Sequence, residues 1–379
     1  MSKAATLGDL HLGRSLHGYD LTPHTRRIMY QFARRSIGRV DYAVQLGDVF
    51  DSPRPATGLE KIVVQWCNEF ERSKTPLYLM TGNHDVISKP GHVSALDPIK
   101  AIPYRYVHVI DRPTVIRFGG HTGLFLPFPS TGTYETPEAW EKGVLDALKR
   151  AEFASLAQVV VYTHLDIAGA SWGDQDLVFR AGEFAVPLVV LESSRVRVLI
   201  GGHVHKPQRR GRVWILGAAQ RLRIDESGMD RFLLQHTDGR KIRRLELPAV
   251  TMLDVSINAA IDSELDVSCD IEAQDQQQLL DAFPWAAADQ AIVRISAWTN
   301  ARTVIDWGVL ERRLYDAGAI FVYPIVPRII VETPSVEGTA DIRDPEQAAH
   351  EFIFERIPKK SERKALLEAF QRLQSMVGD

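Results

Sequence analysis

Short apolar runs recur along the first part of the chain. Tyr42-Ala43-Val44-Gln45-Leu46, Leu77-Tyr78-Leu79-Met80, Val159-Val160-Val161-Tyr162-Thr163 and Val196-Arg197-Val198-Leu199-Ile200 have the length and flanks of buried parallel strands. Residues 3–8 should form a first strand, although Ala4, Ala5 and Leu7 make it a weak one. Between these runs the period changes to that of a helix. Ile28, Phe32, Ala33 and Ile37 mark an amphipathic helix over Pro23–Ile37, with Arg26, Arg27, Arg34 and Arg35 on its wet face. Leu59, Ile62, Val63, Trp66 and Phe70 make a second stripe, and Val93, Leu96 and Ile99 begin another. Residues 105–128 predict short strands, residues 137–151 a helix, and residues 230–247 a hairpin around Thr237-Asp238-Gly239. Strands alternating with helices predict an α/β architecture.

The runs end in unusual residues. Asp9 and His11 follow the first strand, and Asp48 and Asp51 follow the second. Thr81-Gly82-Asn83-His84-Asp85 closes the third, His164 the fourth, and Gly202-His203-Val204-His205 the fifth. Open α/β sheets place their sites at the carboxyl ends of strands. Asp, Asn and His together are the ligand set of a hard-to-borderline divalent metal. Asp9 and His11 lie on one side of an extended segment, because strand side chains alternate with period two, so both can ligate one ion. A single strand-end His is more often a cap or a satisfied core residue; the recurrence favours a shared site. Asp51 reads either as a partner of His84 or as a helix N-cap.

The motifs D-x-H, G-D-x-x-D, G-N-H-D, a strand-end His and G-H-x-H, in that order over residues 9–205, resemble those of the calcineurin-like metallophosphoesterases. The wording Asp9-Leu10-His11-Leu12-Gly13-Arg14 and Gly47-Asp48-Val49-Phe50-Asp51 is similar to the nuclease subunit of SbcCD-type double-strand-break repair complexes. That resemblance implies a layered sandwich of two mixed β-sheets flanked by helices, with a smaller α+β capping domain and a C-terminal helical tail. It implies two divalent ions, one held by Asp9, His11, Asp48 and His205, the other by Asp48, Asn83, His164 and His203, with Asp48 bridging. His84, oriented by Asp51, would protonate the leaving 3′ oxygen or polarise the phosphate. Mixed N/O ligation suits Mn²⁺ best. Gly8 stands where the family more often has Ser or Thr, and Gly217-Ala218-Ala219-Gln220-Arg221 lacks the family's Ser.

The resemblance places His17 in a loop near DNA; the residues alone read equally as a solvated turn. Lys206, Arg209, Arg210 and Arg212 put positive charge beside the site, as a phosphate track or as a solvated turn. Residues 167–182 read as a loop over the site. A composition shift near Pro248 divides a phosphoesterase domain (1–247) from a small α+β domain (248–333), where the resemblance implies a capping domain. The remainder, 334–379, is a linker followed by amphipathic helices. Leu366, Phe370, Leu373 and Val377 are spaced like a coiled-coil seam; such a stripe reads either as packing on its own domain or as a partner helix, and the resemblance implies that these helices grip the coiled coil of an SMC-like ATPase. It also implies a homodimer through helices near residues 59–99, for which ordinary packing is the other reading.

Composition adds bounds. The 379 residues, 45% hydrophobic, can bury a substantial core. A net charge of −3 means that any DNA surface is local. Two cysteines, Cys67 and Cys269, fit a reducing, cytoplasmic setting without a disulfide framework. No run approaches membrane-spanning length, so no membrane partner is expected. The expected activity is that of a dimetal DNA exonuclease or endonuclease in repair and recombination. A phosphomonoesterase or nucleotidase built on the same site is the alternative.

Overall fold

The computed structural model describes residues 1–87, 94–129, 136–153, 158–171, 184–260, 268–300 and 303–330. Val93, most of the expected loop over the site, the linker and the terminal seam lie outside the described residues.

Two six-stranded mixed sheets form the centre. The first runs Arg240–Glu246, Phe232–Thr237, Lys3–Leu7, Tyr42–Gln45, Leu77–Met80, Val107–Ile110. Its last four strands are mutually parallel, and the 232–246 hairpin adds antiparallel to Lys3–Leu7. The second runs Gln208–Arg210, Val213–Ile215, Val196–Gly201, Val159–Thr163, His121–Leu126, Thr114–Phe118, with parallel pairing at its centre and an antiparallel strand at each edge.

Period-two alternation explains the layers, because both faces of each central strand are apolar. Tyr42, Val44, Leu46, Tyr78 and Met80 meet Phe125, Val160, Tyr162, Val198 and Ile200 between the sheets. Ala5, Leu7, Ala43, Leu77 and Leu79 face outward onto the helices Thr22–Ser36 and Leu59–Ser73. Leu124, Leu126, Val159, Val161 and Leu199 do the same against the helix Pro137–Phe153. The result is an α/β–β/α sandwich. The weak-looking first strand sits in mid-sheet, its alanines fully buried, because small side chains suffice where both faces are already covered. Val63, Trp66 and Phe70 are buried on the chain's own sheet, which is ordinary packing for the stripe linked above to a dimer.

The sandwich interior also carries a polar chain. Gly239 N–H donates to His236 Nδ1 (3.1 Å), so His236 Nε2 carries the proton and donates to Tyr162 Oη (2.8 Å). Tyr162 Oη lies 2.7 Å from Tyr42 Oη, which lies 2.6 Å from His121 Nε2, while His121 Nδ1 faces Asp238 Oδ1 at 3.2 Å. Each ring nitrogen and hydroxyl of this chain thus has a partner.

Beyond residue 250 a third, smaller sheet is built on Thr251–Ala259 and Ala291–Thr299, with Ile271–Glu272, Phe321–Val322 and Arg328–Ile329; its pairings are all parallel. It has its own core with the helices Gln276–Ala282 and Trp307–Asp316, capped by Asp275 and Asp306. It belongs to the same compact unit as the sandwich. The joint is apolar: Leu16 and Leu21 pack with Ile224, Val250, Met252, Ile292 and Tyr323. No described helix is long and apolar enough to cross a membrane.

Candidate metal centre

Three adjacent parallel strands of the first sheet (Lys3–Leu7, Tyr42–Gln45, Leu77–Met80) and two of the second (Val159–Thr163, Val196–Gly201) deliver their carboxyl ends to one place, and the first predicted residue after each follows within three positions. One donor atom each from Asp9, His11, Asp48 and His205 lies within 4.8 Å of the others. His11 Nε2 is 3.5 Å from Asp48 Oδ2 and 3.1 Å from His205 Nε2, and His205 Nε2 is 3.9 Å from Asp9 Oδ2. The second predicted set is contiguous with the first. His164 Nε2 is 3.3 Å from the same Asp48 Oδ2 and 3.1 Å from Asn83 Oδ1, which is 2.8 Å from His203 Nδ1. One carboxylate oxygen of Asp48 therefore stands between the two groups.

The backbone is forced into this shape. His11, Asp48 and His203 have φ of 46°, 51° and 74°, a left-handed conformation costing on the order of 1–3 kcal/mol each for such residues. Leu10 and His11 N–H groups both donate to the Asp48 carbonyl at 2.9 Å, and the Ala219 N–H to the Asp9 carbonyl at 2.7 Å. Gly82 is required here: a Cβ would lie 2.1 Å from Asp48 Oδ1. Gly8 is equally constrained, since a Cβ would meet the Gly217 carbonyl at 2.1 Å.

Partners fix the imidazoles. His164 Nδ1 donates to the Leu46 carbonyl (2.9 Å), so Nε2 is the nitrogen left facing Asp48 and Asn83. His11 Nδ1 lies 3.1 Å from Asp51 Oδ1, leaving its Nε2 for the centre. His203 presents Nδ1 inward, and its Nε2 is 3.4 Å from Asp166 Oδ1. The electrostatics point one way. Burial opposes a charged His164, yet Asp48 and Asp9 overcome it and hold that ring up to about 9. Burial likewise opposes a charged Asp48, but His164 and His11 pull the carboxyl well below the usual range. His205 is lowered by burial and by His11. These buried carboxylates attract positive charge, and the donor chemistry and tautomers fit divalent cations.

His84 differs from the other predicted residues. Its backbone N–H donates to Asp48 Oδ1 (2.8 Å), its Nδ1 donates to a carbonyl, and its ring lies edge-on to His11 at 4.6 Å. The expectation that the Asp51 side chain orients it needs correction. His84 Nδ1 bonds the main-chain carbonyl of Asp51 at 2.9 Å, whereas the Asp51 carboxylate holds His11 and approaches Arg14 Nη1 at 3.6 Å. The carboxylate's hydrogen bond goes to His11, and the carbonyl takes that of His84, although one donor atom each from His11, Asp51 and His84 also lies within 4.8 Å of the others.

The expected DNA residues lie further out. His17 is exposed at the tip of a small hairpin, its ring 4.5 Å from Tyr323. The run after His205 is an edge hairpin, Gln208–Arg210 paired with Val213–Ile215. Lys206 is half-buried, and Arg209 and Arg210 are exposed, Arg209 lying over the Trp214 ring at 4.5 Å. Arg212 is not a phosphate residue: Nη1 donates to the Ser193 and Val196 carbonyls (3.0 and 2.7 Å), and Nη2 to that of Leu191.

Sequence reasoning missed the supporting groups. The fully buried Asp85 accepts from the N–H groups of Val49, Phe50 and Gly82 at 3.1, 3.0 and 2.9 Å, tying two ligand turns together. Burial, with Asp48 nearby, raises it to about 7 against those donors. Its place in the Asn83-His84-Asp85 run was the available signal. Asp166, Glu226 and Arg231 have no such local mark.

The model of the calcineurin-like phosphoesterase family matches residues 3–207. The chain belongs to that family. Among curated relatives of this phosphoesterase, the DNA double-strand break repair protein Mre11 of Methanocaldococcus jannaschii is 25% identical over 151 residues. The match covers 38% of this chain and 38% of that relative. One solved structure aligns with 65% of this chain and 99% of its own length, at 13% identity and a TM-score of 0.41.

Proposed function

We propose that this phosphoesterase is a dimetal-dependent DNA nuclease, an exonuclease or endonuclease acting in repair and recombination beside an SMC-like ATPase. The observation that carries the hydrolytic part is the convergence of both donor groups on Asp48 Oδ2, 3.5 Å from His11 and 3.3 Å from His164. Asp9, His11, Asp48 and His205 would hold one ion, and Asp48, Asn83, His164 and His203 the other, with Mn²⁺ the best-suited metal. Two bound divalent cations would supply Lewis acidity to a phosphodiester and activate water for in-line attack. The chain's own part is position and proton handling. Imidazoles anchored at Nδ1 keep Nε2 towards the centre at His11 and His164, and His84, whose Nδ1–H is held by the Asp51 carbonyl, would act as the imidazolium, giving the second proton on Nε2 to a departing oxygen.

The DNA assignment rests on the likeness to the Mre11 protein, whose name places it in double-strand break repair. The third sheet and the residues beyond it, more than a simple phosphatase needs, support the same reading. The ATPase contact through residues 361–379 is part of this proposal, as is a homodimer, although the Leu59–Ser73 stripe lends the dimer no support. The test is Mn²⁺-loaded protein on end-labelled duplex and hairpin DNA, beside a chromogenic phosphomonoester. Cleavage of DNA into shortened products, with little phosphomonoester turnover, is expected. Turnover of the monoester alone would replace this reading with a phosphomonoesterase.

A further inference from the structure

A charged pair lies buried behind His205. Glu226 ends the short turn Ile224–Glu226 and is 5% exposed; Arg231 precedes the strand Phe232–Thr237 and is 1% exposed. Arg231 Nη2 donates to Glu226 Oε2, and that oxygen also accepts the Leu222 N–H at 3.0 Å. Arg231 Nη1 donates to the main-chain carbonyls of His205 (2.7 Å) and Ala218 (3.1 Å). Ala218 neighbours Ala219, whose N–H holds the Asp9 carbonyl at 2.7 Å. One guanidinium therefore grips the backbone at one candidate ligand and beside the segment that holds another.

The second oxygen of Glu226 is what gives the pair a direction. Oε1 lies 3.9 Å from His205 Nδ1, an ion-pair distance rather than a direct hydrogen bond. A carboxylate there repels an imidazole lone pair and favours Nδ1–H. The lone pair is then on Nε2, the atom 3.1 Å from His11 Nε2 and 3.9 Å from Asp9 Oδ2. A buried ion pair is weak support for folding by itself, since desolvation consumes much of the Coulomb attraction. Here its geometry is spent on one ring.

We infer that Glu226 and Arg231 are positioning residues for His205: Arg231 fixes its backbone, and Glu226 selects the tautomer that lets Nε2 bind a divalent cation. This rests on the dimetal reading above. An outer partner of a ligating histidine typically governs metal affinity by roughly ten- to hundred-fold.

The experiment titrates Mn²⁺ into the wild-type chain and Glu226→Gln, reading free Mn²⁺ by electron paramagnetic resonance. The amide can keep the Arg231 and Leu222 bonds while turning its NH₂ towards His205 Nδ1, which favours the opposite tautomer. One of two sites should weaken roughly ten- to hundred-fold and the other should be unchanged. Equal binding by variant and wild type would overturn the proposal while leaving the metal centre intact. A wild-type chain that takes up no Mn²⁺ would remove the metal reading, and the proposal with it. Should the variant not fold, ¹⁵N imidazole shifts of metal-free wild type decide. They should show Nδ1–H at His205, and Nε2–H there would overturn the assignment.

Discussion

At the scale of single residues the chemistry turns on which nitrogen of each imidazole carries the proton. His84 and His11 are neighbours, with rings 4.6 Å apart, yet they have different anchors. His84 Nδ1 donates to a neutral carbonyl, whereas His11 Nδ1 faces the Asp51 carboxylate. The two substitutions should therefore separate. His84→Ala removes a proton donor and no predicted ligand. It should keep two Mn²⁺ and bind DNA, while turnover falls by roughly 10²–10⁴-fold. Metal stoichiometry and cleavage rate on one preparation check this, and loss of the ions along with activity would make His84 a ligand. Asp51→Asn acts on His11, so its first effect should be on affinity: Mn²⁺ binding at one site should weaken by roughly 10–100-fold. Were Asp51→Asn to slow turnover at saturating Mn²⁺ without touching affinity, the carboxylate would be serving His84 after all.

At the scale of strands and turns, what the sequence reveals depends on how local the cause is. Tyr42–Gln45, Leu77–Met80 and Val159–Thr163 are legible because residues on both faces are apolar, and the polar residues after them stand out for the same reason. Arg212 is misread because its carbonyl partners lie at Leu191, Ser193 and Val196, brought near only by the sheet. Glu226 and Arg231 escape for the same reason, being remote in sequence from His205. The interior chain through His236 is a further case, with a measurable consequence. Burial first, then His121, lowers His236 to about 3. In the unfolded chain it would titrate near about 6.5. A group depressed in the fold contributes stability that is complete above the unfolded value and is lost as pH falls towards the folded one. Between pH 6.5 and 3 the wild type should lose stability with a slope up to about 1.4 kcal/mol per pH unit steeper than His236→Asn. Urea midpoints from pH 7 to 4 provide the comparison, and parallel slopes would show that His236 is not held neutral.

At the scale of the whole molecule the question is how a chain of net charge −3 would hold a polyanion. Non-specific affinity for DNA comes mainly from neutralised phosphates, so a local basic surface must supply it. The edge hairpin that begins three residues after His205 is the natural place, because it continues directly from the candidate centre. Its charges are not equivalent. Arg212 is committed to main-chain carbonyls, and Arg209 rests on Trp214 with its Nε donating to the Gly211 carbonyl at 3.3 Å. Arg210 is exposed and makes no ion pair among the described residues. Reversing Arg210 should therefore cost more than reversing Arg209, whose guanidinium must leave an aromatic face to reach a phosphate. Each phosphate contact contributes about 0.9 to the slope of log affinity against log salt. Arg210→Glu should lower that slope by about one, and Arg209→Glu by less, with sequence preference unchanged. The measurement is duplex binding between low and moderate salt in the His84→Ala background, where cutting should be slow beside the time of the binding measurement. A slope unaffected by Arg210→Glu would make the hairpin an ordinary solvated edge and send the search for the DNA surface to the third sheet.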